Sequence, residues 1–214
     1  MTRTKRILLG GLLLGALAAC GNQSNNDSVF GKLAQAARQS VAQRNAEPAP
    51  APDPSAMAAE ALRVNPGPLI LVGLESAGST QVMAMTGENA GRRTYMTKNE
   101  QALILRNGML AGTRGLGNDL SVAEMSGSAA LVLAGRSGEA RRVMRYWTGD
   151  GLERPLPLDC RVGPGPKAGV MVERCQGFGL TFENSYLVQG GRATVSRQWI
   201  GPALGYVTIQ ELRP

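Results

Sequence analysis

Two hydrophobic patterns divide this chain of 214 residues. From Leu69 onward, short apolar or alternating runs sit between turn-forming residues, which is the signature of strands. Leu69–Leu74 is nearly all apolar and reads as a central strand buried on both faces. Residues 81–86 and 92–97 are candidate strands around Gly87–Gly91. Ala102–Arg106 and Met109–Thr113 flank Asn107-Gly108, the strongest short hairpin signal in any sequence. Residues 129–134 and 141–148 read as a further pair turning near Ser137-Gly138. Strands over 154–160, 170–175, 181–188, 193–198 and 206–212 follow, the third and fourth joined at Gln189-Gly190-Gly191. With ten or more short strands and almost no helix after residue 66, the expected fold is all-β: an antiparallel sandwich or an open-barrel-like domain.

The first part of the chain reads differently. Arg3, Lys5 and Arg6 precede an apolar run of 13 residues, Ile7 to Ala19, and then Cys20-Gly21. A basic start, a short apolar core and small residues before a cut are the parts of an export signal. The run is too short to span a bilayer, which takes ~20 residues. Cys20 at the cut identifies a lipoprotein whose thiol accepts diacylglycerol, and more than one acyl chain holds a protein firmly on a membrane. Gly21, where an Asp would retain the protein in the inner membrane, directs the expectation to the outer membrane. Residues 21–28 form a polar tether. Val29, Phe30, Leu33, Ala37 and Val41 recur at helical spacing. Residues 45–54 alternate Pro and form a stiff linker that spans about 30 Å as polyproline II. Residues 55–62 predict a short helix that Asn65-Pro66 stops. The expected organisation is therefore a signal peptide over 1–19, a lipidated tether and linker over 20–54, and a β domain over 55–214.

Composition narrows the chemistry. The formal charge of +7 falls by three when Arg3, Lys5 and Arg6 are removed, and the remaining Arg residues form no polybasic block. An exported chain with that distribution points away from nucleic acid and leaves anionic glycans or acidic partner surfaces. The chain has no His, which removes His-based metal sites, Ser-His-Asp triads and Cys-His pairs. No metal, cofactor or phosphate-binding loop is expected. Acylation of Cys20 leaves Cys160 and Cys175, flanking a turn-rich segment in an oxidising compartment, and these predict a disulfide between two strands.

Three constellations carry candidate recognition chemistry. Thr113–Leu120 is a polar turn in which Arg114 and Asp119 pair across two glycines; it is either a braced loop or an exposed recognition loop. Tyr146-Trp147 and Trp199 pack at a core or rim, or contact a sugar face. Arg197, in Ser196-Arg197-Gln198-Trp199-Ile200-Gly201-Pro202, offers a guanidinium fork to a carboxylate.

Taken in order, the lipobox, the 113–120 loop, Tyr146-Trp147, Cys160/Cys175 and the closing Ser-Arg-Gln-Trp segment through Gly205-Tyr206 resemble the YjbF/GfcB family. These are bacterial lipoproteins linked to exopolysaccharide and group 4 capsule formation. The likeness covers the signal peptide and about residues 56–214. It implies a mostly β fold, an outer-membrane anchor facing the periplasm and a part in producing or exporting a polymer. It supplies no catalytic residues. The resulting expectation is a non-enzymatic accessory whose partners are membrane lipid and polysaccharide export or assembly proteins. A glycan-binding module that contacts an anionic polysaccharide directly is the alternative. A carboxylate-based lyase or hydrolase is a third reading, for which the sequence brings no acidic pair together.

Overall fold

A computed structural model describes residues 53–147 and 149–214. The signal peptide, Cys20, the tether, the helix over 29–41 and nearly all of the Pro-rich linker lie outside the described residues.

Helix α1 (Pro54–Val64) begins where Asp53 accepts a hydrogen bond from the Ser55 amide at 2.9 Å, with Pro54 in the first turn. Its end is held by Arg213, whose guanidinium donates to the carbonyls of Leu62 (2.9 Å) and Asn65. A cation at a helix C-terminus satisfies orphan carbonyls and complements the helix dipole.

Twelve strands follow: β1 (Leu69–Leu74), β2 (Ser79–Asn89), β3 (Arg92–Met96), β4 (Ala102–Arg106), β5 (Met109–Arg114), β6 (Leu120–Glu124), β7 (Gly138–Trp147), β8 (Glu153–Pro164), β9 (Val170–Gly177), β10 (Leu180–Gln189), β11 (Arg192–Gly201) and β12 (Gly205–Arg213). All pairings are antiparallel, in the order β5-β4-β3-β2-β1-β12-β11-β10-β9-β8-β7-β6. The sheet curls until β5 and β6 meet, so the fold is a barrel closed except at one seam. Inward positions such as Leu103, Leu105, Met144, Leu158, Val162 and Ile209 alternate with exposed ones and fill the lumen.

Twelve strands would leave a wide lumen if the barrel were round. Instead the β4–β5 hairpin folds inward. The Ala193 amide donates to the Asn107 carbonyl (3.0 Å), and the Leu110 amide donates to Gln198 Oε1 (2.8 Å). The Asn107-Gly108 turn is pressed on β11 so closely that a Cβ on Gly108 would lie 1.9 Å from the Ala193 carbonyl oxygen. The flattening gives the barrel a sandwich-like core.

Two expectations are corrected. Of the apolar run read as a strand over 129–134, residues 129–133 belong to helix α2 (Ser126–Leu133) and Ala134 is its C-cap. Ala and Leu favour helix, and a short continuous apolar run carries no period to separate the two states. The partners of β7 are instead β6 and β8. Strand β6 was not anticipated, because its five residues follow directly on a polar loop.

Candidate functional site

The meander sorts the connections between two ends of the barrel. One end carries the tight turns β2–β3, β4–β5, β8–β9 and β10–β11 together with α2. The other carries residues 75–78, 97–101, 115–119, 149–152, 178–179 and 202–204. The six residues singled out from sequence all lie at or near this second end, and the structure gives them different jobs.

Arg114 and Asp119 do not pair with each other. Arg114 Nη1 donates to the carbonyls of Thr113 (2.5 Å), Leu120 and Ser121 (both 3.2 Å). It thus ties β5 to β6 across the seam, in place of a strand ladder. Gly112 makes the approach possible, since a Cβ there would meet the Ser121 carbonyl at 3.1 Å. Asp119 accepts from the Thr113 hydroxyl (2.9 Å) and from the amides of Gly115 (2.8 Å) and Leu116 (3.1 Å). The loop is braced through backbone groups, not by an ion pair.

Tyr146 points inward and donates its hydroxyl to the Ile200 carbonyl, and burial pushes its pKa up. Trp199 is buried and stacked on Phe182, with ring centroids 4.3 Å apart. Arg197 makes a bidentate pair with Glu75 (2.6 and 2.7 Å) and lies 3.4 Å over the Tyr206 ring. That pairing holds Glu75 below the usual carboxylate range and Arg197 above its ordinary value. Trp147, at 61% exposure, is the one aromatic of the set that faces solvent. Phe178, which sequence reasoning passed over, is 72% exposed at a neighbouring hairpin tip.

The strongest electrostatics lie inside the barrel. Arg142 on β7 and Glu173 on β9 are both fully buried and paired at 2.8 Å. Glu173 Oε2 also accepts from Asn184 Nδ2 (2.8 Å) and from the Tyr186 hydroxyl (2.9 Å). Asn184 Oδ1 then accepts from the Trp199 amide at 2.7 Å. The cluster ties β7, β9, β10 and β11 together through one carboxylate. Burial pushes the Glu173 carboxyl up, but the Arg142 charge and the donors around it prevail and hold it below its ordinary value. Burial alone would lower Arg142; Glu173 reverses this and raises it.

Sequence reasoning did not find this cluster, although a signal exists. Arg141-Arg142 and Glu173-Arg174 are charged doublets within strands. Alternation sends one member of each doublet inward. Arg141 and Arg174 are exposed, while Arg142 and Glu173 meet in the core.

The expected Cys160–Cys175 disulfide is present, joining directly opposed residues of β8 and β9. Among the described residues, Cys160, Glu173 and Cys175 are the nearest approach to a metal-ligand set, their ligand atoms lying within 4.8 Å of one another. The disulfide occupies both sulfurs, and metal binding needs thiolates.

Comparison with known proteins agrees with this architecture. The crystal structure of the hypothetical lipoprotein YmcC from Escherichia coli K12 superposes with a TM-score of 0.59 at 20% identity, covering 70% of this chain and 88% of that one. At that identity the likeness establishes the fold. No curated protein matches the chain. A family model described as group 4 capsule polysaccharide lipoprotein gfcB, YjbF matches residues 26–212. With most of its length so matched, the chain belongs to the YjbF/GfcB family of capsule polysaccharide lipoproteins.

Proposed function

We propose that this protein is a non-enzymatic accessory of exopolysaccharide or capsule production and export, anchored through Cys20 to the outer membrane and facing the periplasm. One observation carries the non-enzymatic part. Among the described residues, every carboxylate except Glu100 is engaged by an arginine or a backbone amide. The pairs run from Glu60–Arg63 to Glu211–Arg192, and Asp53 and Asp119 accept from amides. Acid–base hydrolysis of a glycosidic bond needs two carboxyl groups about 5–9.5 Å apart that are free to exchange protons with substrate. Carboxylates committed to guanidinium groups are poor candidates for that work.

Family membership supports the link to surface polymer, and the lipobox supports the anchor. The partners are then envelope proteins of the polymer's export or assembly machinery. Solvent-exposed Trp147 and Phe178 at one end of the barrel suit such a contact, because aromatic anchors concentrate binding energy at protein interfaces. Deleting the gene tests the reading. Surface polymer should fall, and should return with the wild-type chain but not with Cys20→Ala. Crosslinking in intact envelopes should recover export components. Normal polymer in the deletion strain, with no envelope partner captured, would overturn it.

A further inference from the structure

At the end of the barrel opposite Trp147 and Phe178, the flattened lumen opens into a cavity of about 100 Å³. Its walls come from the β2–β3 hairpin, the β4–β5 turn and the neighbouring parts of β1, β11 and β12. The lining includes Glu88, Arg93, Asn107, Arg192 and Glu211, set over buried Tyr95. Arg93 is the inward member of a third charged doublet, Arg92-Arg93.

Two guanidinium groups therefore share one small polar cavity, and each is oriented by its own carboxylate. Arg93 Nε donates to Glu88 Oε2 at 2.9 Å, and Arg192 Nη2 donates to Glu211 Oε2. These pairings do not exhaust the donors. Arg192 Nε is buried with no hydrogen-bond acceptor in the protein, and Arg93 Nη1 is buried with no well-formed hydrogen bond, the Tyr95 hydroxyl being the polar group beside this guanidinium. A buried donor without an acceptor costs about 1–3 kcal/mol, so the lining is short of acceptors. The mouth is also rigid, because the Asn107-Gly108 turn is fixed on Ala193.

We propose that this barrel mouth binds a single carboxylate group carried by an acidic saccharide. A carboxylate is planar, accepts from two guanidinium groups at once and fits a cavity of this size. The flanking charges select against a dianion. Arg93 and Arg192 are balanced locally by Glu88 and Glu211, so the cavity itself holds no surplus of positive charge for a dianion. In the adjoining groove that shares Asn107, Arg92 and Arg106 stand against Glu124, a surplus of one positive charge that suits one negative charge. Asn107 and the two glutamates offer partners to the hydroxyls of a sugar ring. The anion site follows from the geometry; only the saccharide as its carrier rests on the polysaccharide function proposed above.

The test is a titration of the ¹⁵N-labelled full chain in detergent micelles, read at the Arg192 Nε–H and Asn107 amide resonances. The probes are sodium D-glucuronate, D-glucose, sodium acetate and inorganic phosphate. Glucuronate should shift both resonances saturably and bind more tightly than the other three. Arg192→Lys retains a cation for Glu211 but removes the Nε donor. It should weaken glucuronate about tenfold, the loss of one charge-assisted hydrogen bond, with the unfolding midpoint unchanged. Arg161→Lys, at an exposed ion pair on the outer wall, should leave binding unaltered. Equal binding of glucose would overturn the carboxylate, equal binding of acetate the saccharide, and equal or tighter binding of phosphate the monoanion selectivity. No saturable shift with glucuronate would overturn the site itself. Each of these failures leaves the gene-deletion phenotype untouched, so the two readings fail separately.

Discussion

Removing Arg142 should reverse the pH dependence of folding stability that the core carboxylate contributes. In the wild-type protein the folded pKa of Glu173 lies below its unfolded value. Its contribution is therefore complete above the unfolded carboxylate pKa of ~4.3 and is lost as pH falls through the folded value. In Arg142→Met the opposing cation is gone, and desolvation, the largest single influence on Glu173, is left to act. The folded pKa then rises above ~4.3, and the contribution is complete below that value and is lost as pH increases. Between the folded and unfolded pKa values the slope is about 1.4 kcal/mol per pH unit, with opposite sign in the two proteins. Breaking a fully buried pair costs about 3–5 kcal/mol, a large share of a total stability of about 5–15 kcal/mol. Urea denaturation across a pH series is the assay, with fluorescence of Trp199, buried on Phe182, as reporter. The difference between variant and wild type isolates the pair from other titrations. A difference that does not vary with pH, or a cost below about 1 kcal/mol, would refute the reasoning.

The disulfide closes a sequence separation of 15 residues, and replacing Cys160 and Cys175 together by Ala should cost about 3 kcal/mol in denaturant unfolding. A negligible loss would mean that strand pairing alone already restricts the unfolded chain there. Gly108→Ala should destabilise by more than the ~1–3 kcal/mol of left-handed backbone strain, because its Cβ would also meet the Ala193 carbonyl; an unchanged melting temperature would contradict this. Phe178-Gly179 is a two-residue turn with φ of +53° and +74°, so Phe178→Asn should stabilise the fold by about 1 kcal/mol in thermal unfolding. A loss of stability would show that the exposed ring contributes packing. Arg197→Ala should cost only about 1 kcal/mol in the same measurement, since its pair with Glu75 is solvent-screened; a loss of several kcal/mol would make the pair a structural anchor.

Most of the strands and their hairpins are legible along the chain. Alternation and apolar runs are local, and Asn107-Gly108 and Gly190-Gly191 mark their turns through backbone preferences that need no partner. Cys160 and Cys175 were likewise legible, because they flank one turn-rich segment that brings two strands side by side. Local pattern failed where two states share one composition. The run Ala129–Ala134 suits helix and buried strand equally, and only the space beside β7 and β8 decided for α2. Charge readings failed for a related reason. Arg114 and Asp119 are close in sequence, yet each found nearer backbone partners once β5 and β6 came together. Arg197 and Trp199 were visible as residue types, but Glu75, Tyr206 and Phe182, which engage them, come from the turn after β1, from β12 and from β10. The doublets Arg92-Arg93, Arg141-Arg142 and Glu173-Arg174 announce that one charge of each must face inward. They do not say what it meets. Arg142 and Glu173 are 31 residues apart, and Arg93 of β3 shares a cavity with Arg192 of β11 only because the curled sheet brings both to one barrel mouth. Periodicity fixes which side of a strand a residue occupies, whereas barrel closure and flattening fix what lies across from it.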